Sequence, residues 1–312
     1  HQVEGDLKKT WRADAEKASA AATEAVAKVK PLEGLDPTLD ELLKTKLSVA
    51  MALAREGMQR EEFTYAGEQF GKVVELAKTA QDIADTKFRI TAEHDFTLAR
   101  LGMSFVWLKG MGLWVAKYET TNGEYRQKQP THDSKKAEGF TLNGDQQPVV
   151  WLSYYDAVAY CEWLNQRQTE QKIPEGWAFR LPTREEWQTM ARAGEERLYP
   201  WGNTWPPKYG NFGNQEMFPT EWDLEGYADE FPVTCPVDKS GANDWGLFGL
   251  AGNAWEWVNE AKDGKYGVYG GAWTEVKKFT LVVAPKGFNY ADPSDKYDNI
   301  GFRVILAPVK AP

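Results

Sequence analysis

The spacing of apolar residues predicts helices in the first hundred positions. Alanine is dense over residues 7–29, and this predicts a helix because alanine has the highest helix propensity. Pro31 and Gly34 are expected to end that helix, and Asp36-Pro37 supplies an N-cap and a first-turn proline for the next one. One face of this second helix, which is expected to end at Gly57, carries Leu39, Leu43, Leu47, Ala50 and Leu53.

A third helix is predicted from near Arg60 towards Leu101. Its apolar residues recur at alternating spacings of three and four, the pattern of a coiled-coil seam: Phe63, Ala66, Phe70, Val73, Ala77, Ala80 and Ala84. This part of the chain contains no cluster of His, Cys or paired carboxylates, and His94 is interpreted as a surface or packing residue. Residues 1–102 are therefore predicted to form a helical docking or oligomerisation region.

The pattern changes after Gly102. Residues 105–108 and 113–116 read as short strands around a glycine turn. Helices are predicted over 156–167 and, after a capping box at Thr183–Glu186, to about Ala193, with a long loop at 127–147. Regular patterning fades from 194 to 233. A loop-rich stretch of that length is uncommon in a compact domain unless a cross-link or a bound ion stabilises it. Calcium is suited to this role because it binds the backbone carbonyls and carboxylates of irregular loops.

The segment 243–257 combines three tryptophans with three glycines and the carboxylate of Glu256. The indole rings predict burial, and the glycines allow turns that a Cβ would block. A carboxylate between Trp255 and Trp257 requires an ion-pair partner or a metal. We therefore expect an irregular, tightly packed core segment.

Composition narrows the classes of function. The 312 residues are 42% hydrophobic with 14 tryptophans and a net charge of −9, which argues for two soluble domains and against nucleic-acid binding. No run of about 18 apolar residues is present, so no membrane span is predicted. The chain begins with His1 and not with methionine, and on that ground we expect an exported, processed protein in the periplasm, on the cell surface or secreted. Cys161 and Cys235 could form a disulfide, but a buried free thiol is favoured for Cys161.

Several motifs in a fixed order resemble the formylglycine-generating-enzyme, or sulfatase-modifying-factor, domain. They are Lys117-Tyr118-Glu119-Thr120-Thr121-Asn122, Pro148-Val149-Val150, Arg180-Leu181-Pro182-Thr183, Tyr199-Pro200-Trp201-Gly202, Gly252-Asn253-Ala254-Trp255-Glu256-Trp257, Gly270-Gly271-Ala272-Trp273 and Gly301-Phe302-Arg303. The resemblance covers about residues 103–307. It implies an α+β chain in which residues 103–312 form a C-type-lectin-like domain with little regular secondary structure.

The resemblance also implies structural calcium at two sites. The first maps to Asn211, Phe212, Asp229 and Phe231, and the second to Gly249, Gly252, Ala254 and Glu256. Position 249 is usually Asn or Asp in the family, so its glycine removes a side-chain ligand from the second site. An alternative for Glu256 is pairing with Arg303 or with backbone amides.

The family's known chemistry is not expected here. Its oxidases hold copper with two cysteines between the Gly-Gly-Trp and Gly-Phe-Arg motifs, and residues 274–300 contain none. The related sulfoxide synthases hold iron with three histidines, and of His1, His94 and His132 two lie outside the domain. No catalytic residue is assigned, and neither copper nor iron is expected.

The segment 274–300, where the family places its cleft, is predicted to offer a binding surface of Lys277, Lys278, Phe279, Lys286, Phe288, Tyr290 and Tyr297. The alternative is that the phenylalanines lie in the core and the lysines are solvated. The favoured function is a non-catalytic binding or assembly protein with a protein partner or self-association through its N-terminal helices. The alternatives are a metal-dependent oxidase or modifying enzyme with a non-standard site, and a carbohydrate-binding lectin-like protein.

Overall fold

A computed structural model shows two compact units, His1–Arg89 and Ile90–Pro312. The structure describes residues 2–30, 37–87, 90–91, 93–98, 100–167, 173–213, 226–275, 280–284 and 289–309. The predicted domain boundary between residues 102 and 103 lies inside the second unit. No helix in the described ranges has the length and apolar character needed to cross a membrane.

The first unit is helical. It contains α1 (Gln2–Val29), α2 (Pro37–Asp40), a π-helical segment (Glu41–Leu47), α3 (Ser48–Gln59) and α4 (Phe63–Lys87). Helices α1 and α3 both pack against α4. All seven predicted seam residues of α4 are buried, and α1 buries every seventh residue opposite them, at Ala15, Ala22 and Val29. These heptad-like spacings, with small side chains, allow close helix packing.

Two predictions about the helices are wrong. Leu53 is 37% exposed, and the buried face of α3 consists instead of Ala50, Met51, Ala54 and Gly57. A step of four from Ala50 reaches Ala54 and a further step of three reaches Gly57, so Leu53 lies at the edge of the buried face. Helix α4 ends at Lys87 and does not continue towards Leu101, since Phe96–Leu98 forms a strand of the second unit.

The second unit is built on a five-stranded antiparallel sheet. Its strands are β1 (Phe96–Leu98), β2 (Met103–Leu108), β3 (Leu113–Ala116), β6 (Trp177–Arg180) and β11 (Ile305–Pro308), in the order β1-β2-β3-β11-β6. The predicted strands at 105–108 and 113–116 are therefore confirmed. The last strand lies between β3 and β6, so the two ends of the unit meet in one sheet.

A second sheet contains β7 (Trp255–Lys262), β8 (Lys265–Tyr269), β9 (Tyr290–Ala291) and β10 (Ile300–Gly301) in the order β10-β7-β8-β9. A small hairpin of β4 (Lys136–Ala137) and β5 (Phe140–Thr141) lies in the predicted long loop. Together the helices and sheets confirm the α+β class. The main core joins residues of both larger sheets with the helix face of Ala157, Cys161 and Leu164.

The described residues of this unit form the helices α5 (Asn122–Arg126), α6 (Tyr154–Asn165) and α7 (Arg184–Arg192), and each begins with a capping box. At α7 the hydroxyl of Thr183 accepts from the Glu186 N–H at 3.2 Å, and the Glu186 carboxylate accepts from the Thr183 N–H at 2.8 Å. The predicted capping box and the predicted helices at 156–167 and 183–193 are confirmed, with ends that differ by about two residues.

Buried amide side chains fasten the irregular stretches. Asn122 donates to the carbonyl of Leu142 at 2.8 Å, and Asn243 donates to the carbonyl of Met190 at the same distance. Gln147 reaches across 87 positions to the carbonyl of Thr234. Each amide pairs with the carbonyl of a residue that is distant in the sequence, so irregular segments can be buried without a disulfide.

Candidate functional site

The four residues of the first predicted calcium site lie together. Asp229 accepts two backbone hydrogen bonds, from the N–H of Phe212 at 2.8 Å and from that of Phe231 at 3.0 Å. Asn211 precedes Phe212 and is fully buried, and its amide nitrogen donates to the carbonyl of Val233 at 2.9 Å. Residues about twenty positions apart are thereby brought to one place.

The side-chain oxygen of Asn211 has no hydrogen-bond partner although it is buried. An unsatisfied buried acceptor costs about 1–3 kcal/mol, and a hard cation would remove that cost. Calcium prefers carbonyl, amide and carboxylate oxygens, and Asn211 and Asp229 carry such groups. On this observation the residues of the first site fit a calcium ion.

Asn253 connects the two predicted sites. Its side-chain oxygen accepts from Asn211 Nδ2 at 3.0 Å and from the Cys235 N–H at 2.8 Å, while its Nδ2 donates to Glu119 at 2.9 Å. The residue has a positive φ of 68°, a region that asparagine tolerates. Beside it, Gly252 has a φ of 80°, and a Cβ there would overlap the carbonyl oxygen of Asn211.

Glu256 has its partners within the protein. The carboxylate accepts from Arg303 Nε, at 3.0 Å to Oε1 and 2.9 Å to Oε2, and from the indole N–H of Trp187 at 2.7 Å. Both members of the ion pair are 0% exposed. This is the Arg303 pairing that the sequence left open as the alternative. Because its donors already surround the carboxylate, the second site fits calcium less well than the first, and a calcium role for Glu256 stays a prediction.

Glu119 is a buried carboxylate that sequence analysis did not single out. Its oxygens accept from Asn253 Nδ2 and from the N–H of Ala254 at 3.2 Å. Burial, and then the negative charge of Glu256, raise the pKa of Glu119 to about 8, while Arg303 partly opposes the rise. The sequence signal that could have identified Glu119 was its position in the first family motif, shortly after a predicted strand. A buried carboxyl with such a pKa is protonated at neutral pH unless a cation binds beside it.

The glycine at position 249 has a structural reason. Its φ is 72°, and a Cβ at this residue would overlap the carboxylate of Glu119. The room that a side chain of residue 249 would take is therefore filled by Glu119, whose own position is fixed by Asn253.

Both cysteines are free and buried. Burial raises the pKa of Cys161 to about 12, and the pKa of Cys235 is also raised, first by burial and then by Glu119. A thiol whose thiolate is so disfavoured is a poor nucleophile and a poor metal ligand. The prediction that Cys161 is a buried free thiol is confirmed, and no disulfide joins the pair.

Only part of the predicted binding surface can be placed. Lys277, Lys278, Phe279, Lys286 and Phe288 lie outside the described residues. Tyr290 is half-buried in β9, and Lys262 Nζ lies 5.5 Å from the centre of its ring. Tyr297 is also half-buried, and its hydroxyl donates to Asp295 at 2.8 Å.

The remaining titratable groups do not form a metal cluster in the part of the chain that the structure describes, where no three His, Cys, Asp or Glu side chains are suitably grouped. His94 is exposed, whereas His132 is half-buried with Nε2 3.0 Å from the carbonyl oxygen of Val150. Burial lowers the pKa of His132. His1 lies outside the described residues.

Comparison with known proteins agrees with this architecture. Residues 83–308 match the model of the sulfatase-modifying factor enzyme 1-like domain, and the chain belongs to that family. The family is thus the class that the two sheets and the ordered motifs define.

Particular relatives include both active and inactive proteins. The chain is 38% identical to the formylglycine-generating enzyme of Mus musculus over 122 residues, which are 38% of this chain and 28% of that enzyme. It is 36% identical to the inactive C-alpha-formylglycine-generating enzyme 2 of Bos taurus over 175 residues, which are 53% of this chain and 52% of that protein. The matches therefore span about half of these relatives or less.

A solved structure shares the fold. PvdO from Pseudomonas aeruginosa superposes with a TM-score of 0.51 at 19% identity, covering 70% of this chain and 99% of that one. At this identity the likeness concerns the fold alone.

Proposed function

We propose that this chain is a non-catalytic member of its family that acts as a binding or assembly subunit. The observation that carries the proposal is the state of its two thiols. Cys161 and Cys235 are the only cysteines in the sequence, and both are buried with raised pKa values. Neither lies in residues 274–300, where the resemblance places the copper-binding pair. One of the relatives being an inactive enzyme supports the same conclusion.

The experiment for this part measures copper and oxidation separately. The full chain would be titrated with Cu(I) in competition with a chromogenic chelator, and then incubated with oxygen and a cysteine peptide of the sulfatase type. We expect no Cu(I) binding that survives the chelator and no loss of the peptide thiol above the copper-only rate. Stoichiometric copper that is lost in Cys161→Ser or Cys235→Ser would overturn the proposal.

For assembly, the first unit offers an apolar stripe on α1. Val3, Leu7 and Trp11 are spaced by four residues, so they share one face, and they are 73%, 46% and 48% exposed. Exposed apolar side chains at helical spacing are typical of helix–helix contacts. We propose that this stripe mediates self-association of the full chain.

Sedimentation of the full chain tests the stripe. The double change Leu7→Glu with Trp11→Glu is expected to convert an associated species to monomer, because two charges cannot be buried without partners. Ala13→Glu is the matched control, since Ala13 is exposed on the same helix about 200° around the axis from Trp11. A wild-type chain that sediments as a monomer at every concentration would refute self-association.

We also propose a structural calcium ion at the first site, held by Asn211 and Asp229 with carbonyl oxygens of Phe212 and Phe231. Support comes from the unpartnered oxygen of Asn211. Chelation should lower the melting temperature of the wild type and leave Asn211→Ala unaffected. A Kd of about 10⁻⁴–10⁻³ M, as in extracellular modules, would agree with the proposed export. Equal melting of the wild type with calcium and with chelator would refute this site.

A further inference from the structure

The first half of helix α1 extends beyond the packed part of its unit. Every residue from 3 to 14 is exposed, and burial among the described side chains of this helix begins at Ala15. At the rise of an α-helix this segment is about 18 Å long. A helix of that length is marginal in water without packing, and Gly5 weakens it further. The segment therefore favours a partner that packs along it.

Charge along this segment changes sign at Leu7. The acidic residues come before it and the basic residues after it: Glu4, Asp6, Lys8, Lys9 and Arg12. Two parallel copies would place acidic against acidic and basic against basic, whereas antiparallel copies bring opposite charges together. The helix dipoles favour the same arrangement, because each positive end then lies beside a negative end. The segment is thus complementary to a second copy of itself in one orientation.

The apolar stripe on α1 indicates the register of such a pair. Val3 and Trp11 lie four residues before and after Leu7. A two-fold axis beside Leu7 therefore places the small Val3 opposite the large Trp11 of the second copy. This arrangement covers the whole stripe on both helices.

In this register the charged residues beside the stripe also match. Glu4 and Lys8 lie about 60° and about 100° around the helix from Leu7, in the same direction, so both are on one side of the stripe. Glu4 of one copy then lies about 3 Å along the axis from Lys8 of the other. Lys8 contacts Glu61 at 2.5 Å within its own chain, but the two side chains are 54% and 63% exposed, so Lys8 can contact a second carboxylate.

We propose that the protein forms a dimer in which residues 3–12 of two copies pack antiparallel. Leu7 lies at the two-fold axis, and Glu4 of each copy pairs with Lys8 of the other. The inference rests on the proposed self-association and adds its orientation and register. Because the contact involves three apolar side chains from each copy, the dimer is expected to be weak, with a Kd in the micromolar range.

An exchange of charges between two chains tests the orientation. Sedimentation of the full chain would be measured for Glu4→Lys alone, for Lys8→Glu alone and for an equal mixture of the two. Each variant alone places like charges at both flanking pairs, so each should weaken the dimer about tenfold. In the mixture one chain supplies two lysines and the other two glutamates, so the heterodimer should be about as tight as the wild-type dimer.

A parallel pair would respond differently to these changes. Glu4 would then lie near Asp6 of the second copy, so Glu4→Lys would tighten the dimer. Lys9→Glu is the matched control for Lys8→Glu, because it makes the same change of charge about 200° around the helix from Leu7, away from the stripe. It should leave the dissociation constant within about threefold of the wild type.

The proposal is overturned if Glu4→Lys dimerises as tightly as the wild type or more tightly, if the mixture does not recover, or if Lys9→Glu weakens the dimer as much as Lys8→Glu. A wild-type chain that stays monomeric and instead cosediments with vesicles containing phosphatidylserine would also overturn it. If Leu7→Glu with Trp11→Glu dissociates the dimer but Glu4→Lys does not weaken it, the stripe remains the self-association surface and the antiparallel arrangement alone fails. The two proposals are therefore distinguishable.

Discussion

Replacing Arg303 by methionine would test how the core compensates the charge of Glu256. Both side chains are 0% exposed, and Arg303 Nε lies 2.9–3.0 Å from the two carboxylate oxygens. In Arg303→Met the indole N–H of Trp187 would remain as a donor to Glu256. The methionine side chain keeps much of the arginine's apolar stem but offers no charge.

The expected cost follows from the loss of these contacts. An uncompensated buried charge costs about 3–5 kcal/mol. Arg303 also donates to the carbonyl of Ala116 at 3.1 Å, and leaving that acceptor unpaired adds about 1 kcal/mol. We therefore expect Arg303→Met to lower the free energy of unfolding by about 4–6 kcal/mol. The double variant with Glu256→Gln should lose about 2–3 kcal/mol less than the sum of the single changes.

Urea unfolding followed by tryptophan fluorescence provides the measurement. Of the 14 tryptophans, 13 lie after residue 90, so the signal reports the second unit. Each protein would be measured with calcium and with chelator. Single changes that each cost less than about 1 kcal/mol and that add in the double variant would refute the reasoning. Such a result would mean that another group, such as a bound cation, neutralises Glu256.

Three further predictions concern the same unit. In chelator Glu119 should cost the wild type up to about 5 kcal/mol of stability as pH rises from 4.5 to about 8, because the pKa of Glu119 is raised on folding and the unfolded chain loses its proton first. Urea midpoints across this range should show the slope, and Glu119→Gln should remove the part above about pH 7, since the pKa of buried Glu124 is raised to about 7 and keeps a slope below it. Gly252→Ala should cost at least about 2 kcal/mol, since its φ is positive and a Cβ overlaps the carbonyl of Asn211; a melting temperature equal to that of the wild type would contradict this. Thiol-reactive reagents should label Cys161 and Cys235 at least about 100-fold more slowly in the native protein than in urea, and rapid native labelling would show that the thiols are accessible.

The geometry also explains how a loop-rich domain holds together without disulfides. Calcium was the fastener expected from the sequence for residues 194–233. Buried amides at Asn122, Gln147, Asn243 and Asn253 stabilise irregular segments through hydrogen bonds, and calcium at residues 194–233 stays a prediction. A side-chain amide carries both donors and an acceptor, so one residue can form hydrogen bonds with several backbone groups in different loop segments.

Local patterns sufficed where a residue's neighbours in sequence are also its neighbours in space. The α4 seam, the capping box at Thr183, and strands β2 and β3 all depend on residues within a few positions, and all were predicted. The order of the family motifs likewise identified the fold of the second unit without any coordinates.

Tertiary structure alone decided the partners of the buried polar groups. Glu256 meets Arg303 across 47 positions, and Glu119 meets Asn253 across 134. Which donor a buried carboxylate contacts depends on how the sheets and loops pack. The hydrophobic periodicity of the sequence carries no information about that contact. The unpartnered amide nitrogen of Asn289 also required the tertiary structure, because a missing hydrogen bond is identified only when the positions of the neighbouring groups are known.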